Sequence, residues 1–310
     1  VTFRLFAPEA SNDSVTGDWP GGIHSTTTPM AKDDKGVWSA TVGPLRPEFW
    51  IYTFSLNGVT ILDPRNIHTR RNTTRIENTL LIPGPESADY MVNAVPHGTV
   101  AIQWYDSPTA GANRRAYVYT PPGYERGNQR YPVLYLLHGG SGDEDAWFSC
   151  GRASQILDNL IAQGKAAPMI VVMPLGVVRW AGAGSDDESR EARQKAFERD
   201  LMDDLIPYVE TNYPVEAETS RRALAGLSMG AGQTCWIGSR HLGRFAYLGM
   251  FSGGMVGRTF DDVAAAYPEG VAFNASKKLF WISCGHADVH YAGVLRTLDL
   301  FDARGVEYHW

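Results

Sequence analysis

Residues 222–232 read RALAGLSMGAG, and this stretch decides the fold of the chain. Its first residues are a short strand candidate, residues 233–239 have a helical pattern, and between them lies a turn of the form Gly-x-Ser-x-Gly. A turn of this kind projects its serine hydroxyl above the end of a sheet, and the glycines leave room for the neighbouring strand and helix. We therefore predict that Ser228 is a nucleophile; the alternative is a flexible turn rich in glycine.

The sequence after about residue 90 alternates strands with helices, a pattern typical of a mostly parallel sheet covered on both faces. Residues 133–137 (VLYLL) form an unbroken apolar run, as in a central strand buried on both sides. Further strands are predicted at residues 116–120, 169–173, 222–225, 247–251 and 279–283, and helices at residues 195–212 and 294–303. With the serine turn at the end of one of these strands, the pattern predicts an α/β-hydrolase domain over residues 90–310.

The first part of the chain, residues 1–85, predicts a small all-β, immunoglobulin-like sandwich. Short strand candidates at residues 2–6, 14–16, 38–42, 50–56 and 79–82 are separated by turn residues. Four aromatic residues, Trp19, Trp38, Trp50 and Tyr52, are candidates for a sugar-stacking platform or for the core of the sandwich. We favour packing over carbohydrate binding, and we assign the polar residues 82–89, which contain prolines, to the connection between the domains.

Composition and charge exclude several classes of protein. The chain has 310 residues, 44% of them hydrophobic and 20% charged, which is the balance of a globular protein with a substantial core. Its net charge of −6 argues against nucleic acid and against an anionic membrane surface as partners. No apolar run approaches the ~20 residues that a membrane-spanning helix needs. The cysteines, Cys150, Cys235 and Cys284, allow at most one disulfide.

An oxyanion hole needs two backbone N–H groups that point at the developing negative oxygen. We expect Met229, which follows the nucleophile, to supply one of them. The second is expected from the glycine-rich loop after the strand at residues 133–137, with Gly140 as first choice and Gly139 next. We interpret His138, at the start of this loop, as a strand-end histidine held by hydrogen bonds and not as a catalytic group.

The acid of a serine hydrolase with this fold follows the nucleophile in sequence and precedes the histidine. Asp288 is the best candidate, since it lies in the loop after the strand at residues 279–283. It would fix the tautomer of the histidine and stabilise the imidazolium. Asp261 and Asp262 are weaker candidates because they lie further from the preceding strand. The alternative role of Asp288 is to cap a helix that begins near Val289.

The histidine of the triad is expected just after Trp310. His309 is the only histidine well after Asp288, but it lies in the pattern of a last strand, while the base belongs in the loop beyond that strand. His286 and His290 flank the acid, and we expect His286 to line the substrate cleft. Because the chain stops within a strand pattern, we predict that it is truncated before the histidine. The alternative is a chain without a working triad.

Residues 175–191 form a long, polar, glycine-rich segment after a central strand, where open α/β sheets place their binding sites. We predict a lid or substrate-contact loop, with Trp180 stacking on a phenolic ring or a sugar. A solvated surface loop is the alternative. Gly139 is a further candidate for substrate contact.

Several segments together resemble a known family. They are PPGY (121–124), YPVLYLLHG (131–139), DLMDDLIPYVE (200–210) and GLSMG (226–230). In these segments the chain is similar to bacterial feruloyl esterases, which belong to the esterase D-like group (carbohydrate esterase family one) together with acetyl xylan esterases. The front part, with VTFRLFAP (1–8), GDW (17–19) and DKGVW (34–38), resembles early-set, immunoglobulin-like domains related to glycogen-binding modules.

The resemblance implies a secreted or periplasmic bacterial enzyme that releases ferulic or related hydroxycinnamic acids from feruloylated xylan through an acyl-enzyme, without a cofactor or metal. Ser228, Met229, Asp288 and Gly140 match functional positions of the family, whereas the family's Gly-x-His-x-Trp segment has no counterpart before Trp310. An acetyl xylan or siderophore esterase of the same fold is one alternative. A non-catalytic carbohydrate-binding protein on a disabled esterase scaffold is the other.

Overall fold

The N-terminal part of the chain consists of short antiparallel strands. The structure is a computed structural model that describes residues 1–20, 25–72, 74–178, 190–254 and 270–310. The strands of this part are β1 (Thr2–Phe6), β2 (Asp13–Gly17), β3 (Thr26–Pro29), β4 (Ala31–Lys32), β5 (Val37–Thr41), β6 (Phe49–Leu56), β7 (Val59–Ile61), β8 (Thr69–Arg71) and β9 (Ile76–Leu81). One sheet has the order β1-β5-β4 and the other the order β3-β2-β6-β9-β8, with β7 paired to β6. Strands β3, β4, β7 and β8 were not predicted, because they are short and carry little apolar alternation.

The two sheets share one hydrophobic core, and the four aromatic residues singled out above belong to it. Trp19, Trp38, Trp50 and Tyr52 are only 3–7% exposed. The indole N–H groups of Trp38 and Trp50 donate to the backbone carbonyls of Ala7 and Arg46, at 3.0 and 3.1 Å. A sugar-stacking platform made of these four side chains is therefore wrong, since stacking needs an exposed ring face. They pack the sandwich instead, the role favoured from the sequence.

The connection between the sandwich and the second part of the chain is a short 3-10 helix, Pro85–Tyr90. Its neighbours hold it on both sides. The Tyr90 hydroxyl donates to Glu48 at 2.7 Å, and the Asn159 amide donates to the carbonyls of Asp89 and Met91 at 2.8 and 2.9 Å. A segment with the composition of a polar linker is thus hydrogen-bonded both to the sandwich and to helix Ala153–Ala162 of the following part.

The second part of the chain contains a seven-stranded sheet of the order β10-β11-β13-β12-β14-β15-β16. Its strands are β10 (Thr99–Ser107), β11 (Ala112–Thr120), β12 (Val133–Leu137), β13 (Ile170–Pro174), β14 (Arg222–Leu227), β15 (Tyr247–Phe251) and β16 (Leu279–Ser283). The pairs β10–β11 and β11–β13 are antiparallel, and the other pairs are parallel. The inner strand β13 is fully buried, and the central strand β12 is buried except for the partly exposed Leu134, which explains their unbroken apolar sequences.

Helices cover both faces of this sheet. They are α1 (Ala146–Ser149), α2 (Ala153–Ala162), α3 (Arg190–Arg199), α4 (Ile206–Asn212), α5 (Met229–Arg240), α6 (Gly270–Ser276) and α7 (Tyr291–Ala303). The helix predicted at residues 195–212 is divided, since a π-helical segment, Asp200–Leu205, separates α3 from α4. None of the described helices is long and apolar enough to cross a membrane.

The last residues of the chain pair with the edge of the sheet, as predicted. The His309 N–H donates to the Phe280 carbonyl, and the Ile282 N–H donates to the His309 carbonyl, both at 2.8 Å. This bridge is parallel and places His309 opposite Trp281. The segment therefore runs parallel to β16. It points toward the side of the sheet where the parallel strands have their C-terminal ends.

Candidate active site

Ser228 occupies the turn between β14 and α5 with a backbone conformation that a serine rarely adopts. Its φ is 53° and its ψ is −104°, outside the regions that non-glycine residues favour. The glycines beside it are required by space: a methyl group at Gly226 would lie 2.4 Å from the carbonyl carbon of Gly230, and one at Gly230 would lie 2.6 Å from the carbonyl oxygen of Leu137. The strained turn predicted from the sequence is present, and the catalytic role of its serine stays a prediction.

The position of Met229 follows from that turn. It is the first residue of α5, and the first N–H groups of a helix have no acceptor within the helix. The positive end of the helix dipole lies at the same place and favours negative charge there. The Met229 N–H is therefore free of an acceptor within the helix, as an oxyanion donor must be, and its role in an oxyanion hole stays a prediction.

The glycine-rich loop after β12 lies beside this turn. A methyl group at Gly139 would be 3.5 Å from the carbonyl oxygen of Leu227, the residue before Ser228, whereas one at Gly140 would meet nothing within 4 Å. The Gly142 N–H donates to the Gly139 carbonyl at 3.1 Å and closes the loop into a turn. Gly139 thus packs next to the serine turn and Gly140 borders open space. This placement suits both residues for the roles predicted for them.

His138 connects the loops around the serine through hydrogen bonds. Its Nδ1 lies 2.7 Å from the Gly139 carbonyl, and its Nε2 accepts a hydrogen bond from the Gly176 N–H at 2.8 Å. These partners assign the proton to Nδ1 of a neutral ring, and burial lowers the pKa of His138 from its ordinary value. The Gln233 amide of α5 donates to the Gly176 carbonyl at 2.7 Å. The prediction of a strand-end histidine held by hydrogen bonds is confirmed.

Asp288 lies in the loop after β16, where the acid was expected, and the loop after β15 holds it. The Ser252 hydroxyl donates to Oδ2 of Asp288, and the His290 N–H donates to Oδ1 at 2.7 Å. Ser252 stands directly after β15, with φ of 48°, and its own N–H donates to the Ser283 carbonyl at 2.7 Å. Helix α7 begins after His290, and the hydrogen bond from the His290 N–H to Asp288 lies in the turn directly before it, so the role of Asp288 as the acid and its alternative role as a cap both stay predictions.

The surroundings of Asp288 keep its carboxyl ionised. Burial acts to raise its pKa, but the hydrogen bonds from the Ser252 hydroxyl and the His290 N–H, with the charge of His290, outweigh it and hold the pKa of Asp288 below its usual value. Each carboxylate oxygen has capacity for a further hydrogen bond. The group can therefore accept a proton donor such as an imidazole N–H.

The loop after β15 also connects the acid to the serine turn. The Ser228 N–H donates to the Phe251 carbonyl at 2.9 Å. A methyl group at Gly253 would lie 2.7 Å from the carbonyl oxygen of Ser228, so this loop packs directly on the turn. Sequence reasoning missed Ser252. Its only local signal is its position right after a predicted strand, in the run FSGG (251–254).

No histidine completes the triad within the residues that the structure describes, since no imidazole there hydrogen-bonds to Ser228 or Asp288. His309 is exposed, and its backbone is level with Trp281, ahead of the strand end from which the acid loop starts. His286 is also exposed, and its ring packs on Tyr291 with centroids 5.0 Å apart. Tyr291 in turn packs on Trp310 at 6.2 Å, which gives an aromatic row beside the acid loop.

Three candidate residues lie outside the described residues: Trp180, Asp261 and Asp262. The start of the predicted lid loop is described, and a buried ion pair fixes it. Arg114 donates to the carbonyls of Leu175 and Val177 at 2.5 and 3.0 Å. Its Nε lies 3.1 Å from Oδ2 of Asp200, the first residue of the π-helical segment. Sequence reasoning missed this pair, whose members lie far apart in the chain.

The seven-stranded sheet and the strained serine turn at the end of a central strand define an α/β-hydrolase. The chain matches the family model described as "Putative esterase" over residues 107–286, and it belongs to this esterase family. Residues 1–67 match carbohydrate-binding module 48, the isoamylase N-terminal domain.

A curated relative covers both parts of the chain. It is an endo-1,4-beta-xylanase/feruloyl esterase of Xylanibacter ruminicola, 34% identical over 309 residues, which are 98% of this chain and 40% of the relative. The chain thus spans less than half of that protein.

Two solved structures have the same fold. A mutant of the feruloyl esterase module from Clostridium thermocellum, complexed with sinapinate, is 26% identical, covers 71% of this chain and 78% of its own, and has a TM-score of 0.55. The enterobactin esterase from Shigella flexneri is 15% identical, covers 98% of this chain and 83% of its own, and has a TM-score of 0.66. At that identity the second likeness concerns the fold alone.

Proposed function

We propose that the chain is the esterase part of an enzyme that hydrolyses carboxylic esters, with Ser228 as the nucleophile. The observation that carries this proposal is the strained conformation of Ser228 at the start of α5, next to a loop that borders open space at Gly140. Non-glycine residues held at such φ and ψ values cluster at active sites. Membership of the esterase family supports the same reaction class.

The chemistry proceeds in two halves. The Ser228 oxygen attacks the ester carbonyl carbon as a base removes its proton, and the carbonyl electron pair becomes an oxyanion that accepts hydrogen bonds from the Met229 and Gly140 N–H groups. The oxyanion then collapses, the C–O bond to the alcohol breaks, and the alcohol leaves with the proton. Water then attacks the acyl-enzyme through the same two steps, and the carboxylic acid product is released. Asp288 orients the base and stabilises its charged form.

The base is a histidine that follows Trp310. The segment around His309 runs parallel to β16, so a residue placed after Trp310 would lie near the loop that carries Asp288. Both oxygens of Asp288 have capacity for a hydrogen bond from an imidazole there. No step of the reaction needs a metal or an organic cofactor.

The substrate is a hydroxycinnamic ester, such as ferulate on arabinoxylan. The name of the Xylanibacter relative and the sinapinate held by the Clostridium module support this choice. His286 and Tyr291, which pack on each other beside the acid loop, offer aromatic surface for a phenolic ring. Gly139 and Trp180 complete the proposed substrate contacts. A polymer of the plant cell wall requires a secreted or periplasmic enzyme.

The test uses the full-length protein, with methyl ferulate, acetylated xylan and a catecholate siderophore ester as substrates. We expect methyl ferulate to be hydrolysed faster than the other two substrates. We also expect Ser228→Ala to lose this activity. Preference for acetylated xylan or the siderophore ester would replace the substrate class. If a fluorophosphonate fails to label Ser228 and xylan binding persists in Ser228→Ala, the protein is a carbohydrate-binding pseudo-esterase.

A further inference from the structure

Arg71 reaches from the N-terminal sandwich to the loop that carries Gly140. It is the last residue of β8, and its Nε lies 2.8 Å from Oδ2 of Asp143, while its Nη2 lies 3.6 Å from Oε1 of Glu144. Asp143 and Glu144 follow Gly140 in the same loop, before α1 begins. The sandwich therefore makes ion pairs with the segment on which the second oxyanion donor depends.

The acidic side chains of this loop are stabilised by the contacts with Arg71. Asp143, Glu144 and Asp145 are consecutive acidic residues, and the Glu144 side chain is only 3% exposed. Arg115 of β11 also contacts Glu144, so this carboxylate is held between a guanidinium from each part of the chain. A buried carboxylate that loses a partner is strongly unfavourable. Without Arg71, one guanidinium would face the whole acidic run, and repulsion among its members would favour a displaced loop.

A displacement of the loop at Asp143 is expected to move Gly140 as well. Its other end is fixed by His138, whose ring bonds to the Gly139 carbonyl. The Asp143 carboxylate also accepts the Asp145 N–H at 2.9 Å, so a movement of Asp143 is passed to the backbone. Between these two points lie Gly139 and Gly140, next to the serine turn. A shift at Asp143 therefore changes the position of the Gly140 N–H.

The sandwich is a fixed platform for this contact. Strand β8 pairs with β9, and the connecting 3-10 helix is bound by Asn159 and Arg152 of the second part of the chain. The sandwich thus meets the hydrolase part at separate places, among them the helix at residues 85–90, the loop at residues 143–144, and Cys150, which Arg70 contacts. Separate attachments restrain rotation, which a single linker would leave free.

We infer that the N-terminal sandwich is a positioning element of the active site, and that Arg71 sets the place of the Gly140 N–H through Asp143 and Glu144. The inference rests on the proposed function, because it concerns the same oxyanion hole. It gives the sandwich a role in the hydrolysis of esters that are too small to reach it. Arg71 is a positioning residue and touches no substrate.

The test measures methyl ferulate hydrolysis by the full-length protein, because this ester carries no sugar that could bind to the sandwich. For Arg71→Gln we expect kcat to fall about tenfold while KM stays within about twofold, since only the transition state carries the oxyanion. Arg71→Lys keeps the charge and should recover part of the loss. The matched control is Arg75→Gln, which removes a 66% exposed arginine that pairs with Glu77 in the same hairpin and is expected to keep wild-type kcat.

A double-mutant cycle with Asp143→Asn separates positioning from general loss of stability. If Arg71 acts through Asp143, the double variant should be hardly slower than either single variant, because coupled residues are not additive. Equal kcat for Arg71→Gln and Arg75→Gln would overturn the inference and leave the proposed function intact. Wild-type protein that releases no acid from any ester would instead overturn the proposed function.

Hydrogen exchange gives a measure that does not depend on activity. We expect faster exchange at residues 139–149 in Arg71→Gln than in Arg75→Gln, with the exchange of the strands unchanged. Unchanged exchange in this segment would contradict the proposed contact even if the protein proved inactive. Faster exchange throughout the molecule would show that Arg71 acts on stability and would also overturn the inference.

Discussion

The Ser252 hydroxyl donates a hydrogen bond to Oδ2 of Asp288, and this bond joins the loops that follow two neighbouring strands of the sheet. Ser252 follows β15 and Asp288 follows β16, while the carbonyl of Phe251 accepts the Ser228 N–H. One short segment after β15 therefore supports both the proposed nucleophile and the proposed acid. Its influence on Asp288 can be measured through the pKa of that carboxyl.

We expect Ser252→Ala to lower stability at neutral pH by about 1.5–3 kcal/mol, since a hydrogen bond to a charged group is lost. The pKa of Asp288 lies below its ordinary value of 3.8, because two hydrogen bonds and the charge of His290 outweigh its burial. Stability from this group is therefore present above 3.8 and is lost as the pH falls through the lower pKa of the folded state. Urea unfolding at pH 7 and near pH 3 measures the difference.

The matched control is Asp288→Asn, in which no carboxyl titrates. The difference in unfolding free energy between wild type and Ser252→Ala should shrink from pH 7 to pH 3, and in the Asp288→Asn background the Ser252→Ala substitution should show no such trend. A pH-independent difference in both backgrounds would mean that Ser252 acts through packing and not through the charge of Asp288.

The serine turn and the acid loop could be predicted from the sequence because both depend on local patterns. The turn at Ser228 needs glycines at fixed spacing, and Asp288 lies in the loop after an apolar strand, where this fold places its acid. Ser252 also follows a predicted strand, but no local pattern assigns a role at the site to Ser252 or Gln233. Their function comes from partners that only the folded sheet brings close, Asp288 and Gly176. Contacts of this kind depend on strand order, which local periodicity does not encode.

The same distinction explains errors in the fold. The edge strand β10 was missed although apolar residues recur at positions 100, 102 and 104, and in the structure Ile102 and Trp104 are exposed, so this alternation does not mark a buried face. The four aromatic residues of the sandwich were ambiguous, because an exposed platform and a buried core use the same residue types. Only burial separates the two, and it assigns all four to the core.

His138 should make stability depend on pH in a window that the other groups of the site do not share. Burial lowers its pKa, so the folded state keeps a neutral ring while the unfolded state binds a proton below about pH 6.5. The unfolded state therefore binds more protons as the pH falls, and stability decreases. We expect His138→Gln to cost about 2 kcal/mol at pH 7.5 through lost hydrogen bonds, and this cost to shrink as the pH falls to 5.5.

Urea unfolding of both proteins across this range measures the effect, with His68→Gln, which removes an exposed histidine of the sandwich, as the control. The His68→Gln variant should follow the wild-type profile. A cost of His138→Gln that stays constant from pH 7.5 to pH 5.5 would contradict a neutral, buried His138.

The Arg114–Asp200 pair should show the penalty for a buried charge without a partner. Both side chains are nearly inaccessible, and the Tyr105 hydroxyl donates to the same carboxylate at 2.9 Å. Arg114→Met leaves Asp200 buried and unpaired, so we expect a loss of about 3–5 kcal/mol. The double variant with Asp200→Leu removes both charges and should be more stable than Arg114→Met alone. Urea unfolding tests this order, and additive losses would contradict the pairing.

The backbone of Ser228 should store strain that a glycine releases. A non-glycine residue held at such a positive φ costs about 1–3 kcal/mol, whereas glycine adopts it freely. Ser228→Ala and Ser228→Gly both lack the hydroxyl, so their difference isolates the backbone. We expect the glycine variant to be more stable by about 1 kcal/mol in urea unfolding, after the greater entropy of glycine in the unfolded chain is subtracted.

The same two substitutions at Ser239, inside α5, should give the opposite order by about 1 kcal/mol. If alanine were the more stable replacement at both positions, the strain at Ser228 would be too small to matter, and its unusual conformation would no longer support a catalytic role.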